Sequence, residues 1–90
     1  EETISGQSFS VYPNPVQSMF ASTFTLGQDS PVTIKIMDIQ GSTVFTRNAG
    51  NFSAGTHSLN TNITGLPSGI YTVHIISNNG VQSEKISVIP

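Results

Sequence analysis

The chain has 90 residues, of which only 9% are charged, and its three basic and five acidic residues give a net charge of −2. Three basic residues cannot neutralise a nucleic-acid backbone, no apolar run approaches the roughly 20 residues of a membrane span, and the absence of cysteine excludes disulfides and thiolate zinc sites. The length allows one domain, and the abundance of valine, isoleucine and threonine favours strands over helices.

Seven strands are predicted, and glycine or proline separates them at the spacing of an all-β sandwich or barrel. Residues 1–8 are small and polar and are predicted to be a flexible linker, which leaves 9–90 as a single sandwich domain. The predicted strands are Phe9–Tyr12, Met19–Leu26, Val32–Asp38, Ser42–Arg47, Thr56–Asn60, Ile70–Ser77 and Val81–Ile89. Residues 48–55, between the fourth and fifth strands, are predicted to be a loose polar loop.

Two turns and one corner are also predicted. Asp38 and Gly41 occupy the first and fourth positions of a type I turn, and Asn79-Gly80 is the strongest two-residue hairpin signal. A proline and a glycine precede Tyr71 at the start of the sixth strand, as in the tyrosine corner of immunoglobulin-like sandwiches, where the phenol bonds to backbone upstream. A half-buried tyrosine at a strand start is the equal alternative.

Catalytic chemistry lacks the residues it needs. Two of the five carboxylates lie at the start of the chain and Asp38 is explained by its turn, so no acid–base pair is predicted. His57 and His74 with Asp38 are a candidate metal set, but their spacing gives it no support. Ser53 nearly matches a nucleophile elbow, which requires a larger α/β sheet. The sequence predicts no catalytic residue, no metal site and no cofactor.

A carbohydrate-binding or adhesive module attached to a secreted hydrolase is the alternative function. Four aromatic side chains could form a sugar-stacking platform, although core packing is their favoured use: Tyr12, Phe45, Phe52 and Tyr71. The N-glycosylation patterns at 51–53 and 62–64 are expected by chance in a chain this rich in Asn, Ser and Thr.

Four sequence blocks follow one another along the chain. They are Tyr12-Pro13-Asn14-Pro15-Val16, the hairpin segment from Val32 through Asp38 and Gly41 to Val44, Leu66-Pro67-Ser68-Gly69-Ile70-Tyr71, and Lys85-Ile86-Ser87-Val88. In this order, over about residues 11–90, they resemble the type A C-terminal sorting domains of the type IX (Por) secretion system, which are carried by secreted proteins of Bacteroidetes-type bacteria. The chain departs from the family at its end, where Val88-Ile89-Pro90 lacks the terminal basic or amide residue that many members have.

The resemblance implies an all-β, seven-stranded antiparallel immunoglobulin-like (fibronectin III-like) sandwich that acts as a non-catalytic address label. Such a domain directs a larger, covalently linked upstream passenger through the periplasm and across the outer membrane to the cell surface or the medium. Its implied partners are the outer-membrane translocon and a sortase-like peptidase, which would cut upstream of Tyr12, in or before residues 1–8. Exposed sheet edges could also pair in a homodimer.

The resemblance also carries recognition roles over to matching positions of this chain. They are Tyr12, Pro13, Asn14, Pro15, Asp38, Gly41, Gly69, Tyr71, Lys85, Ile86 and Val88. The last strand, from Lys85 to Ile89, is expected to be central to recognition by presenting or donating its edge to the translocon.

Overall fold

Seven antiparallel strands and no helix make up residues 9–90, the part of the chain that the computed structural model describes. The predicted linker 1–8 lies outside the described residues. The strands are β1 (Phe9–Tyr12), β2 (Met19–Leu26), β3 (Ser30–Asp38), β4 (Thr43–Phe52), β5 (Gly55–Asn62), β6 (Gly69–Ser77) and β7 (Gly80–Val88). They form a three-stranded sheet in the order β1-β2-β5 and a four-stranded sheet in the order β4-β3-β6-β7. The predicted immunoglobulin-like sandwich is confirmed.

The core lies between the two sheets, where alternate residues of each strand point inward. On β3, Val32, Ile34 and Ile36 are fully buried, while Thr33 and Lys35 between them are partly exposed. The other central strands follow the same period, with Phe20, Phe24 and Leu26 of β2 and Tyr71, Val73 and Ile75 of β6 in the same cluster. This alternation of period two is what the sequence predicted, and it gives each sheet one apolar face.

The fourth strand is longer than predicted. The expected loose loop 48–55 is strand as far as Phe52, and only Ser53 and Ala54 separate β4 from β5. The ladder with β3 shifts register near Gly50, which has a φ of 97° and donates its N–H to Asn48 Oδ1 at 3.0 Å. Because β4 is an edge strand that is largely exposed, its polar residues are compatible with strand, and the composition alone predicted a loop.

Both predicted hairpins are present, but one turn differs from the prediction. In the β3–β4 turn the Gly41 N–H donates to Asp38 O at 3.0 Å and Gly41 has a φ of 88°, as expected for a type I turn followed by glycine. In the β6–β7 turn the two central residues are Asn78 and Asn79, neither with positive φ, and Ser77 pairs with Gly80. The Asn79-Gly80 pair is therefore not the centre of the turn.

Candidate functional site

The segment between β1 and β2 lies along the outer edge of β7, near the end of the chain. The Val16 N–H donates to Ser87 O at 2.7 Å, and the Ile89 N–H donates to Val16 O at 2.8 Å. These two bonds form a short parallel bridge between Val16 and Val88, separate from the antiparallel ladders of the two sheets. The Val16 side chain is fully buried, so the segment is anchored by packing as well as by backbone bonds.

The Asn14 side chain extends this contact along the same edge. Its Nδ2 donates to Lys85 O at 3.1 Å, and its Oδ1 accepts from the Ser87 N–H at 3.0 Å. Pro13 and Pro15, on either side, have no N–H to offer. The amide of Asn14 therefore supplies the donor and the acceptor that a neighbouring strand would give. We call residues Asn14 to Val16 the clamp.

The clamp covers only the C-terminal half of the β7 edge. Backbone groups along a strand alternate in direction, and those of Lys85, Ser87 and Ile89 point toward the clamp. By the same alternation, the backbone N–H and C=O groups of Val81 and Ser83 also point away from β6, but they lie beyond the reach of the clamp. The edge from Lys85 to Ile89, which the sequence predicted to be presented to a partner, is therefore occupied by the chain's own N-terminal block.

Two of the three recognition residues predicted in the last block belong to the core. Ile86 and Val88 are 1% and 4% exposed and pack between the sheets. Lys85 pairs with Thr72 of β6 and is exposed on the outer face of the four-stranded sheet. Of these three residues, Lys85 is thus the one whose side chain a partner could contact directly.

The predicted tyrosine corner is present and lies beside this half of β7. The Tyr71 hydroxyl donates to Pro67 O at 2.5 Å, and the ring is buried. Tyr71 pairs with Ile86, and Gly69 pairs with Val88 one step further along the hairpin. The corner therefore holds β6 directly opposite the part of β7 that the clamp holds.

The remaining predicted residues lie at the same end of the sandwich. Asp38 pairs with Tyr71 across β3 and β6, so Asp38, Tyr71 and Ile86 form one continuous row. Its Oδ1 accepts from the Gln40 and Ser42 N–H groups, both at 3.0 Å, which holds the turn that contains Gly41. The four blocks, widely separated along the chain, thus converge around the C-terminal half of β7.

Tyr12 ends β1 next to the clamp and has a different environment from Tyr71. It is 51% exposed, and its hydroxyl lies 3.2 Å from Thr23 Oγ1 on the outer face of the three-stranded sheet. With Pro13, Asn14 and Pro15, which are also exposed, it forms a surface beside the C-terminal half of β7.

The aromatic side chains do not form the flat exposed platform that sugar binding would require. Tyr71 is buried, and Phe45 and Phe52 pack against the core. The Phe52 ring meets Phe24 edge-on at 5.6 Å and His57 at 5.0 Å. Within the part of the chain that the structure describes, these contacts give the rings structural roles.

The histidines lie on different sheets. His57 is on β5, where its Nε2 lies 2.7 Å from Ser53 O, and His74 is on β6. Residues 9–90 contain no group of three or more side chains arranged to hold a metal ion. The same residues form no helix with the length and apolar character needed to cross a membrane.

Comparison with known families shows to which protein family a chain with these four blocks belongs. The family described as the secretion system C-terminal sorting domain matches residues 10–89. The chain belongs to this family. This sorting domain also resembles a solved structure of PorZ, an essential bacterial surface component of the type-IX secretion system of Porphyromonas gingivalis, with a TM-score of 0.58 and 21% identity.

The match to PorZ covers 91% of the sorting domain but only 11% of the PorZ chain, and at this identity it shows a shared fold alone. A search of curated proteins found no significant match. Family membership makes the sorting domain a signal for export by the type IX system, across the outer membrane to the surface or the medium.

Sequence reasoning identified Asn14 as part of a motif but missed its contact with β7, and it missed Val16 and Ser87 as members of the same site. Asn14 and Ser87 are 73 positions apart, so no local pattern marks them as partners. The placement of one asparagine between two prolines was the available signal, because the prolines offer no N–H and the asparagine amide adds a donor and an acceptor.

Proposed function

We propose that this chain is a non-catalytic secretion signal that directs a larger passenger, covalently attached upstream, through the type IX translocon. The observation that carries the proposal is the convergence of the four family blocks around the C-terminal half of β7. Membership of the sorting-domain family supports export as the role of the domain. The arrangement of the blocks supports the C-terminal half of β7 as the region that the translocon recognises.

The converging residues divide into two roles in this proposal. Tyr71, Ile86 and Val88 are buried and shape the strand from within, while Asp38 and Gly41 fix the neighbouring turn. Gly69 supports the same hairpin opposite Val88. The translocon reads the side chains that remain outside: Tyr12, Pro13, Asn14, Pro15 and Lys85.

The clamp gives the recognition surface a fixed shape. A strand bonded on one side only leaves a row of N–H and C=O groups without partners along its other edge. Asn14 and Val16 add bonds on the second side of β7, at 2.7–3.1 Å. The surface is then already ordered before the translocon binds, so the domain loses less conformational entropy on binding than it would with a loose strand.

Removal of the domain after export follows from the same proposal. The described strands begin at Phe9, so a cut in or before residues 1–8 would separate the passenger from the whole sandwich. A sortase-like peptidase at the cell surface would make this cut. Mass spectrometry of the released passenger would locate the bond, and a cut within residues 9–90 would contradict the proposal.

Export of a reporter tests the proposal directly. Residues 1–90 are fused to the C-terminus of a periplasmic enzyme in a host with a functional type IX system. The reporter is expected at the cell surface or in the medium, and it is expected to stay in the periplasm of a host that lacks the translocon. Periplasmic retention of a folded fusion in the competent host would overturn the proposal.

A further inference from the structure

The outer face of the four-stranded sheet gathers basic side chains from three adjacent strands. Lys35 of β3 pairs with His74 of β6, which pairs with Ser83 of β7, and Lys85 follows Ser83 by two residues on the same face. Directly opposite residues are separated by about 5 Å and diagonal ones by about 7 Å in an antiparallel sheet. Lys35, His74 and Lys85 therefore form one cluster, which we call the basic face.

No carboxylate of residues 9–90 lies on the basic face. Asp29 Oδ1 accepts from the Ala54 N–H at 2.8 Å, and Asp38 is bonded to its own turn. Glu84 pairs with Val73, whose side chain is buried, so Glu84 belongs to the opposite side of β7 from Lys85. The face therefore presents positive charge that these three acids do not offset.

His74 responds to this environment. Burial, and after it the charge of Lys35, lowers the pKa of the imidazole from its ordinary value of 6.5. At neutral pH His74 is then mostly uncharged, and the face carries the charges of Lys35 and Lys85 on either side of a hydrogen-bonding ring. A nearby carboxylate would have acted in the opposite direction.

Apolar and hydroxyl side chains surround these charges. Ile70 and Val81 are 42% and 49% exposed at the two ends of the face, and Thr72 lies beside Lys85. Two lysines are too few for a nucleic-acid backbone, whose binding grows with the number of phosphates neutralised. A mixture of charge, hydroxyl and exposed apolar area suits a protein surface instead.

We propose that the basic face is a docking surface for an acidic protein surface of the secretion machinery. Carboxylates of the partner pair with Lys35 and Lys85, and its apolar side chains cover Ile70 and Val81. The inference rests on the proposed function and names the chemistry of its partner. It also connects with the clamp, because Asn14 holds the Lys85 carbonyl and so fixes where the lysine side chain begins.

Matched charge variants in the reporter fusion test the inference in the cell. The double variant Lys35→Gln and Lys85→Gln lowers the net charge by two, and so does the control Ser58→Glu and Asn60→Glu on the exposed outer face of β5. We expect loss of export for the first variant and normal export for the control, with unchanged melting temperatures for both. Export of the lysine variant at the wild-type level would overturn the inference, and with it the reading of Lys85, while the role of the domain as a secretion signal stands.

A binding measurement tests the inference even if the wild-type fusion is not exported. The purified domain, labelled with ¹⁵N, is titrated with a hexaglutamate peptide at low and at high salt. Amide shifts at Lys35, His74 and Lys85 are expected at low salt only, and they should disappear in the double-glutamine variant. Absence of these shifts, equal shifts on β5, or equal shifts with inorganic phosphate would each overturn a specific acidic-protein surface.

Discussion

The two halves of β7 are parts of one strand, yet they are held differently. From Lys85 onward the strand pairs with β6 on one side and with the clamp on the other, and it buries Ile86 and Val88. From Gly80 to Glu84 it pairs with β6 while the clamp lies beyond its reach, and Val81 is 49% exposed. The C-terminal half of β7 is therefore held on both sides and by the core, and it contains the fourth family block.

The largest expected difference between the two halves comes from their apolar side chains. Ile86→Ala removes buried methyl groups and is expected to cost about 2–5 kcal/mol of unfolding free energy, whereas Val81→Ala in the other half should change it by less than about 0.5 kcal/mol. Urea denaturation of both variants measures the difference. Similar losses would show that the two halves contribute equally to the core.

The next largest difference is expected between the buried Tyr71 and the exposed Tyr12. Tyr71→Phe removes the hydroxyl that donates to Pro67 O and is expected to cost about 1.5 kcal/mol, because a bonded buried group is lost beside Ile86. Tyr12→Phe, whose hydroxyl meets Thr23 at the surface, serves as the matched control and should cost less than about 0.5 kcal/mol. Thermal unfolding of the pair would contradict this ranking if Tyr12→Phe were the more harmful change.

A smaller effect is expected from the clamp itself. Asn14→Ala removes two hydrogen bonds from an exposed residue, which should cost about 1 kcal/mol because water replaces part of the loss. Amide hydrogen exchange gives the sharper measurement. The Ser87 N–H should lose much of its protection in the variant, while that of Ser83 should not change. Equal exchange at Ser87 in both proteins would show that Asn14 does not hold the strand.

The smallest expected effect concerns pH and His74. Because its pKa is lowered in the folded state, the unfolded chain binds the proton more readily. The associated stability is fully present above pH 6.5 and is lost as the pH falls through the folded-state pKa. His74→Gln should remove this part of the acid sensitivity, and Lys35→Gln should reduce it only partly, since burial is the larger cause. Denaturation midpoints across this range measure the slope, and an unchanged slope in His74→Gln would contradict the assignment.

Features of the fold that depend on neighbouring residues were predicted more accurately than features that depend on the tertiary environment. The alternation of Val32, Ile34 and Ile36 and the turn from Asp38 to Gly41 follow from neighbouring residues, and both were predicted. The end of β4 at Phe52 was not predicted, because an exposed edge strand and a polar loop share a composition. The turn at Asn78-Asn79 was misplaced by one residue, because glycine is also favoured at the fourth position of a type I turn, where Gly80 lies.

For the candidate site, the sequence provided the members but not their arrangement. Four ordered blocks identified the family, and the shortage of charge left few groups for any chemistry. Lys35 could be assigned to the outer side of its strand from alternation alone. Its proximity to His74 and Lys85 could not be, because that depends on which strands become neighbours.

The sequence by itself determined the strand periodicity, the turn from Asp38 to Gly41 and membership of the sorting-domain family, since each depends on residues close together or on their order. Only the tertiary structure decided that Asn14 would meet Lys85 and Ser87, 71 and 73 positions away, and that the basic residues would share one face. The physical reason is sheet order. Burial of the apolar faces places β3, β6 and β7 side by side and brings the first block against the last strand.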